Sequence, residues 1–259
     1  MRTFEKTKYF IIDMDGTFYL GDNMIPGSDE FIKRVKETGR DFCFFTNNSS
    51  NSVRLCCDRL KKIGFPVPDE KVVLSSDVAV DYINRNYCGK KVYLLGNKNL
   101  YYCFINGGIN LCDEDPDVVV LGFDTDLTYE RINKACNYIA RGAVYIATHP
   151  DVNCPTKDGF MPDTGAMIEL FAASTGKRPI IVGKPMLHTV EYIAKLLDCN
   201  ADELAFVGDR LETDIRIGFD NGIPTALVLS GVTDEKMLEQ SHIKPTVTAK
   251  DLCSLSQYL

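Results

Sequence analysis

No apolar run in this 259-residue chain approaches the roughly 20 residues needed to cross a bilayer. The opening residues, Met1-Arg2-Thr3-Phe4-Glu5-Lys6, hold no apolar stretch of the kind a secretory signal requires, so a cytoplasmic location is expected. No Cys-x-x-Cys pair occurs among the ten cysteines, which weakens zinc and thioredoxin-like readings. Cys43, Cys136 and the adjoining Cys56-Cys57 sit in apolar patterns, and the set reads as buried thiols of a reducing compartment. Excess positive charge is missing as well. The formal net charge is −7, which disfavours nucleic acid as a partner. There is no low-complexity tract, no repeat of solenoid period and no Gly/Ser linker. What remains is an ordinary globular composition, 45% apolar and 25% charged, long enough for one or two domains.

Short apolar runs alternate with segments of helical period. Strands are expected at 9–12, 41–45, 72–74, 92–95, 118–121, 144–147, 179–182, 204–207 and 225–229. Helices are expected at 28–38, along the stripe Val53, Cys56, Cys57, Leu60, and after a Thr128 N-cap along Ile132, Ala135, Cys136, Ile139. Others are expected around Met167–Ser174, at 187–197 and at 214–219. Repeated β-α-β order implies an α/β fold with a parallel sheet covered by helices on both faces. The pattern permits one large sheet or two smaller ones.

The most informative stretch is Phe10-Ile11-Ile12-Asp13-Met14-Asp15-Gly16-Thr17. An apolar strand ends in two aspartates at i and i+2, whose side chains point the same way in extended chain. Two carboxylates so close need an offset: a metal cation, a shared proton or a lysine. Three more polar segments end apolar runs: Thr46-Asn47-Asn48-Ser49-Ser50, Gly183-Lys184-Pro185 and Gly208-Asp209. Ligands of open α/β sheets bind outside the carboxyl ends of the strands, so the four segments are expected to converge on one crevice.

That inventory suits a phosphate ester. Asp13, Asp15, Asp209 and Asp214 are all acidic, and a phosphomonoester adds about two negative charges. Hard oxygen ligands favour Mg²⁺. Lys184 supplies a positive charge, and Thr46 and Asn47 supply neutral donors. In the expected mechanism Asp13 attacks phosphorus and Asp15 carries the proton to the leaving group. Taken singly, Lys184 would read as a surface lysine, Thr46 and Asn47 as caps of the next helix, and Asp214 as an acid at a helix N-terminus.

Together these residues resemble the haloacid dehalogenase superfamily of phosphatases. Its four motifs are matched, in order, by Asp13-Met14-Asp15-Gly16-Thr17, by Thr46-Asn47, by Lys184 and by Gly208-Asp209 through Asp214. Phe45–Ser50, Thr148-His149-Pro150-Asp151 and Pro162-Asp163-Thr164-Gly165-Ala166 are similar to the NagD-like, p-nitrophenyl-phosphatase branch. The resemblance spans essentially the whole chain. It implies a doubly wound Rossmann-like core, residues 1–79 and 179–259, with a smaller α/β cap inserted at 80–178. It also implies that Asp13, Asp209 and the backbone carbonyl of Asp15 bind Mg²⁺, with Asp214 behind them. Asp15, Thr46, Asn47 and Lys184 would contact the phosphate.

The expected partner is a small phosphate ester, such as a sugar phosphate, a nucleoside monophosphate or p-nitrophenyl phosphate. No nucleic acid or membrane partner is expected, and caps of the branch can pair into a homodimer. His149 either faces the substrate from a cap loop or is a surface histidine. His188 and His242 read as structural, and the roles of Arg210 and Glu212 stay open. The rivals to a phosphatase are a phosphotransferase or phosphomutase using the same intermediate, and a non-catalytic module resembling a receiver domain.

Overall fold

Phe10, Ile11 and Ile12 are each at most 1% exposed. Such a continuous apolar run is what a parallel strand needs when helices cover both faces of its sheet. The computed structural model describes residues 4–156 and 159–259. This strand is β1 (Tyr9–Ile12). It is followed by the hairpin β2 (Tyr19–Leu20) and β3 (Asn23–Met24), then α1 (Ser28–Glu37), β4 (Asp41–Thr46), α2 (Val53–Lys62) and β5 (Val72–Leu74). The middle of the chain forms α3 (Ser75–Asn86), β6 (Lys91–Leu95), α4 (Lys98–Asn106), β7 (Asn110–Leu111), β8 (Val118–Leu121) and α5 (Tyr129–Ala140). It continues with β9 (Val144–Ala147), β10 (Asn153–Thr156), β11 (Gly159–Pro162), α6 (Thr164–Thr175) and β12 (Ile180–Ile181). The last part forms α7 (Leu187–Leu196), β13 (Leu204–Gly208), α8 (Arg216–Asn221), β14 (Thr225–Val228), α9 (Glu235–Gln240), β15 (Val247–Ala249) and α10 (Leu252–Leu255).

The chain divides into two units. One takes the residues up to Thr46 together with Val53–Val73 and Val190–Leu259; the other takes Asn47–Ser52 and Leu74–Thr189. The first unit carries a six-stranded sheet of order β15-β14-β13-β1-β4-β5. β1 pairs in parallel with β13 on one side and β4 on the other, so strand order reverses beside it. The carboxyl end of β1 therefore lies at the topological switch point, where such sheets bind ligands. Phe18 packs edge-on against Phe44, with centroids 4.8 Å apart, and fastens the chain leaving β1 onto β4.

The second unit has its own five-stranded parallel sheet, β12-β9-β8-β6-β7. Its core gathers Tyr93, Leu95, Val119, Leu121, Ala135, Ile139 and Phe171. Thr128 caps α5 as expected, accepting from the Arg131 N–H. Two smaller sheets, not one large sheet, are thus the outcome. The strand expected at 179–182 groups by chain order with the last third. It is instead the edge of this second sheet, because Ile180 and Ile181 pair with Ile146 and Ala147 of β9. The longer segment of the second unit is Leu74–Thr189. The helix expected at 214–219 starts two residues later, at Arg216. Among the described residues no helix is long and apolar enough to cross a membrane.

Candidate active site

Asp13 is the first residue past β1, and its N–H still donates to the Val207 carbonyl at 2.8 Å, extending the ladder by one step. Ile12 is level with Val207 of β13, so Asp13 emerges beside the Gly208-Asp209 end of the neighbouring strand. After Asp209 the chain makes a wide turn, Leu211–Ile215. The N–H groups of Asp214 and Ile215 both donate to the Arg210 carbonyl, at 3.0 and 3.2 Å. This π-type turn, a form frequent at functional sites, swings Asp214 back until its carboxylate accepts from the Arg210 N–H at 3.1 Å. The result is one carboxylate oxygen from each of Asp13, Asp209 and Asp214 within 4.8 Å of one another.

The surroundings hold this cluster rigidly. Asp209 is fully buried and accepts from Thr17 Oγ1 at 3.2 Å and from the Val232 N–H at 2.7 Å. Gly16 has φ +84°, and a Cβ there would lie 2.6 Å from Asp209 Oδ2, so the backbone passes where only glycine fits. Ser230 Oγ donates to the Gly16 carbonyl at 2.8 Å and pins that turn. Burial, and then the charge of Asp214, push the Asp209 carboxyl above the usual carboxylate range. Three crowded carboxylates, one of them buried and raised by its neighbour's charge, form a set whose repulsion a cation would offset. Their oxygens are hard donors, which fit a divalent ion such as Mg²⁺.

Asp15 has a different environment. Its side chain is 45% exposed, and it is bracketed by two groups. Tyr19 donates its hydroxyl to Asp15 Oδ2 at 3.1 Å, and the Arg59 guanidinium stands 3.5 Å from Oδ1. Partial burial raises the Asp15 pKa, while Arg59, the Tyr19 hydroxyl and Arg210 oppose the rise. Burial and the Asp15 charge push the Tyr19 phenol far upward, so it stays a donor. Two carboxylates two residues apart therefore do different things: Asp13 joins the acidic cluster, and Asp15 faces a phenol and a guanidinium.

Thr46 ends β4, level with the residues just beyond β1, and is buried. α2 starts only at Val53, so neither Thr46 nor Asn47 caps it. In the second unit, the Asn47 amide grips the Lys184 main chain in both directions. Asn47 Nδ2 donates to the Lys184 carbonyl at 3.1 Å, and the Lys184 N–H donates to Asn47 Oδ1 at 3.0 Å. A side-chain amide carries the same donor-acceptor pair as a peptide unit, which is why it serves as a splice of this kind. Asn47, read from the sequence as a phosphate donor, thus has the placing of Lys184 as its visible task. Ser75 Oγ steadies the splice by donating to the Asn47 carbonyl at 2.6 Å. His149 is not a surface histidine. It is fully buried, with Nε2 3.0 Å from Thr164 Oγ1 and its ring between Asp151 and Asp163, each at 3.6 Å. His188 and His242 lie against the rings of Tyr82 and Phe219, consistent with packing.

Glu212 is an outward residue that pairs with Arg216 at 3.2 Å, whereas the Arg210 main chain holds Asp214. Sequence reasoning missed Thr17, Tyr19, Arg59 and Ser230. Thr17 lay within the first motif and was open to discovery; the others carried no pattern of their own. Of the cysteines read as packing thiols, Cys43 and Cys56 are buried and Cys57 and Cys136 are half-buried, whereas Cys88 and Cys253 are exposed.

Known proteins share the sequence pattern and the fold of this chain. A model described as haloacid dehalogenase-like hydrolase matches residues 10–110, and a related hydrolase model matches residues 181–255. The chain is similar to the 5'-nucleotidase YutF of Bacillus subtilis, 32% identical over 97% of this chain and 98% of that one. It is similar to an acid sugar phosphatase of Staphylococcus aureus, 34% identical over 95% of each. Its structure resembles that of a 4-nitrophenylphosphatase from Thermotoga maritima, with a TM-score of 0.95, 42% identity and 99% of both chains covered. With both sheets, the strand-end carboxylates and full-length relatives in agreement, the chain belongs to the haloacid dehalogenase-like hydrolases, in their NagD-like phosphatase branch.

Proposed function

We propose that this protein is a Mg²⁺-dependent phosphatase of small phosphomonoesters working through an aspartyl-phosphate on Asp13. The observation that carries the reading is the meeting of Asp13, Asp209 and Asp214 at the carboxyl ends of β1 and β13. Asp13, Asp209 and the Asp15 carbonyl would hold Mg²⁺, with Asp214 orienting them. Bound there, the ion would neutralise the carboxylates and the charge on the phosphoryl oxygens.

An Asp13 oxygen attacks phosphorus in line, the ester P–O bond breaks, and the aspartyl-phosphate forms. Asp15, protonated, gives its proton to the departing alkoxide. It then takes a proton from the water that attacks the same phosphorus, the P–O bond to Asp13 breaks, and inorganic phosphate leaves. Lys184, placed by Asn47, and the Thr46 hydroxyl stabilise the equatorial oxygens. Residues 80–178 act as the cap, and its loops from Thr148 to Asp163 select the ester. Closure of the cap excludes bulk water until the intermediate has formed. The similar proteins named for action on nucleotides, sugar phosphates and 4-nitrophenyl phosphate support small esters as the class. A cytoplasmic setting and pairing through the cap complete the reading.

The test is phosphate release with Mg²⁺ across sugar phosphates, nucleotides, pyridoxal phosphate and p-nitrophenyl phosphate. Asp13→Asn is expected to lower turnover by about 10³-fold or more on every ester that reacts. Near-normal turnover by that variant would remove Asp13 as the nucleophile.

A further inference from the structure

Tyr19 and Arg59 enclose the Asp15 carboxyl without belonging to the acidic cluster or to any family motif in the chain. Tyr19 returns to its neighbour four residues back because the chain folds into a tight turn. The N–H groups of Phe18 and Tyr19 both donate to the Met14 carbonyl, at 2.9 and 3.1 Å, and the Gly16 N–H donates to the Tyr19 carbonyl at 2.8 Å. The phenol hydroxyl then reaches Asp15 Oδ2. Arg59 arrives from α2, 44 positions further along the chain. Its guanidinium lies 4.2 Å from the centre of the Tyr19 ring, donates to the Gly21 carbonyl at 2.8 Å, and stands 3.5 Å from Asp15 Oδ1. A planar guanidinium stacked on a ring and tied to a carbonyl has little freedom left, so it presents a fixed face to the carboxylate. Each Asp15 oxygen is thereby addressed by a different group, and rotation of the carboxyl about its last bond is restrained.

We propose that Tyr19 and Arg59 are positioning residues for proton transfer, holding the Asp15 carboxyl in the orientation from which it protonates the leaving oxygen. The proposal rests on the reading of Asp15 as the proton carrier. A purely structural role, bracing the β2–β3 hairpin through Gly21, would lower activity on all esters alike. Positioning of an acid would not. An alkoxide departs from phosphorus only with a proton, whereas p-nitrophenolate departs without one. The value of kcat/KM reports the steps up to departure of the leaving group, so it isolates this one.

The experiment compares kcat/KM for a sugar phosphate and for p-nitrophenyl phosphate in the wild type, Tyr19→Phe, Arg59→Gln and Asp15→Asn. Tyr19→Phe removes one hydroxyl and keeps the ring, so it stays decisive should Arg59→Gln fail to fold. The expected result is a loss of about tenfold on the sugar phosphate with a change within about twofold on p-nitrophenyl phosphate, for both Tyr19→Phe and Arg59→Gln. Asp15→Asn is expected to show the same contrast more strongly. Equal losses on both esters, or none, in Tyr19→Phe while Asp15→Asn discriminates would overturn the inference and leave the catalytic reading intact. No discrimination by Asp15→Asn would overturn the reading of Asp15 and the inference with it.

Discussion

At the scale of single residues, the acidic cluster works against folding when no cation is bound. Asp209 is fully buried, and Asp214 adds like charge beside it. Its carboxyl therefore holds a proton more firmly in the folded chain than in the unfolded one. Stability contributed by such a group is present at low pH and is lost as pH rises through the unfolded value, near 4, toward the higher folded value. Surface acids such as Glu169, which the Arg178 hydrogen bond holds below the usual range, act in the opposite sense. The comparison that isolates Asp209 is metal-free wild type against Asp209→Asn, by thermal melts from pH 4 to 7 in chelator. Wild type is expected to lose stability relative to the variant as pH rises, and Mg²⁺ is expected to cancel the loss. Parallel profiles would show that the cluster carries no such penalty.

At the scale of elements, the turn after β1 and the turn after β13 do most to place the chemistry. Gly16 and Gly39 both adopt positive φ, +84° and +77°, but only Gly16 has a neighbour in the way of a Cβ. Gly39→Ala is expected to cost about 1 kcal/mol of stability from backbone conformation alone, with activity kept. Gly16→Ala is expected to displace Asp209 as well, weakening Mg²⁺ binding in a titration and removing most activity. Urea denaturation together with the titration separates the two effects. In the second unit, Thr128→Ala removes the N-cap of α5 and is expected to cost about 1 kcal/mol, read as a lower urea midpoint. An unchanged midpoint would mean that the hydroxyl contributes nothing to that helix.

At the scale of the whole molecule, the six-stranded and five-stranded sheets each have buried apolar strands of their own. Removing divalent cations with EDTA is therefore expected to abolish phosphate release while a cooperative melt persists. The melting temperature should fall by only a few degrees, the amount that loss of a ligand at about 100 times its Kd produces in a chain of this size. A collapse of the melt in EDTA would make the ion a structural one.

Much of this was legible in the chain. The run Phe10–Ile12 had to be a buried strand, the i, i+2 spacing of Asp13 and Asp15 had to put two carboxylates at its end, and Leu204–Val207 had to deliver Asp209 likewise. Those properties are local: apolar periodicity and residue order reveal them without knowledge of neighbours. Lateral pairing is not local. Ile180–Ile181 reads like any short strand, and only its bonds to β9 assign it to the second sheet. The Asn47 amide could serve many donors, and a backbone 137 residues away decides its partner. Glu212 faces solvent and His149 the interior because of the packing around each, which no spacing encodes. Residue order and apolar periodicity alone set which acidic and basic side chains stand at which strand ends. Tertiary structure alone decided that Asp13 joins Asp209 and Asp214 while Asp15 turns to Tyr19 and Arg59, because partners distant in the chain set the surroundings of each carboxylate.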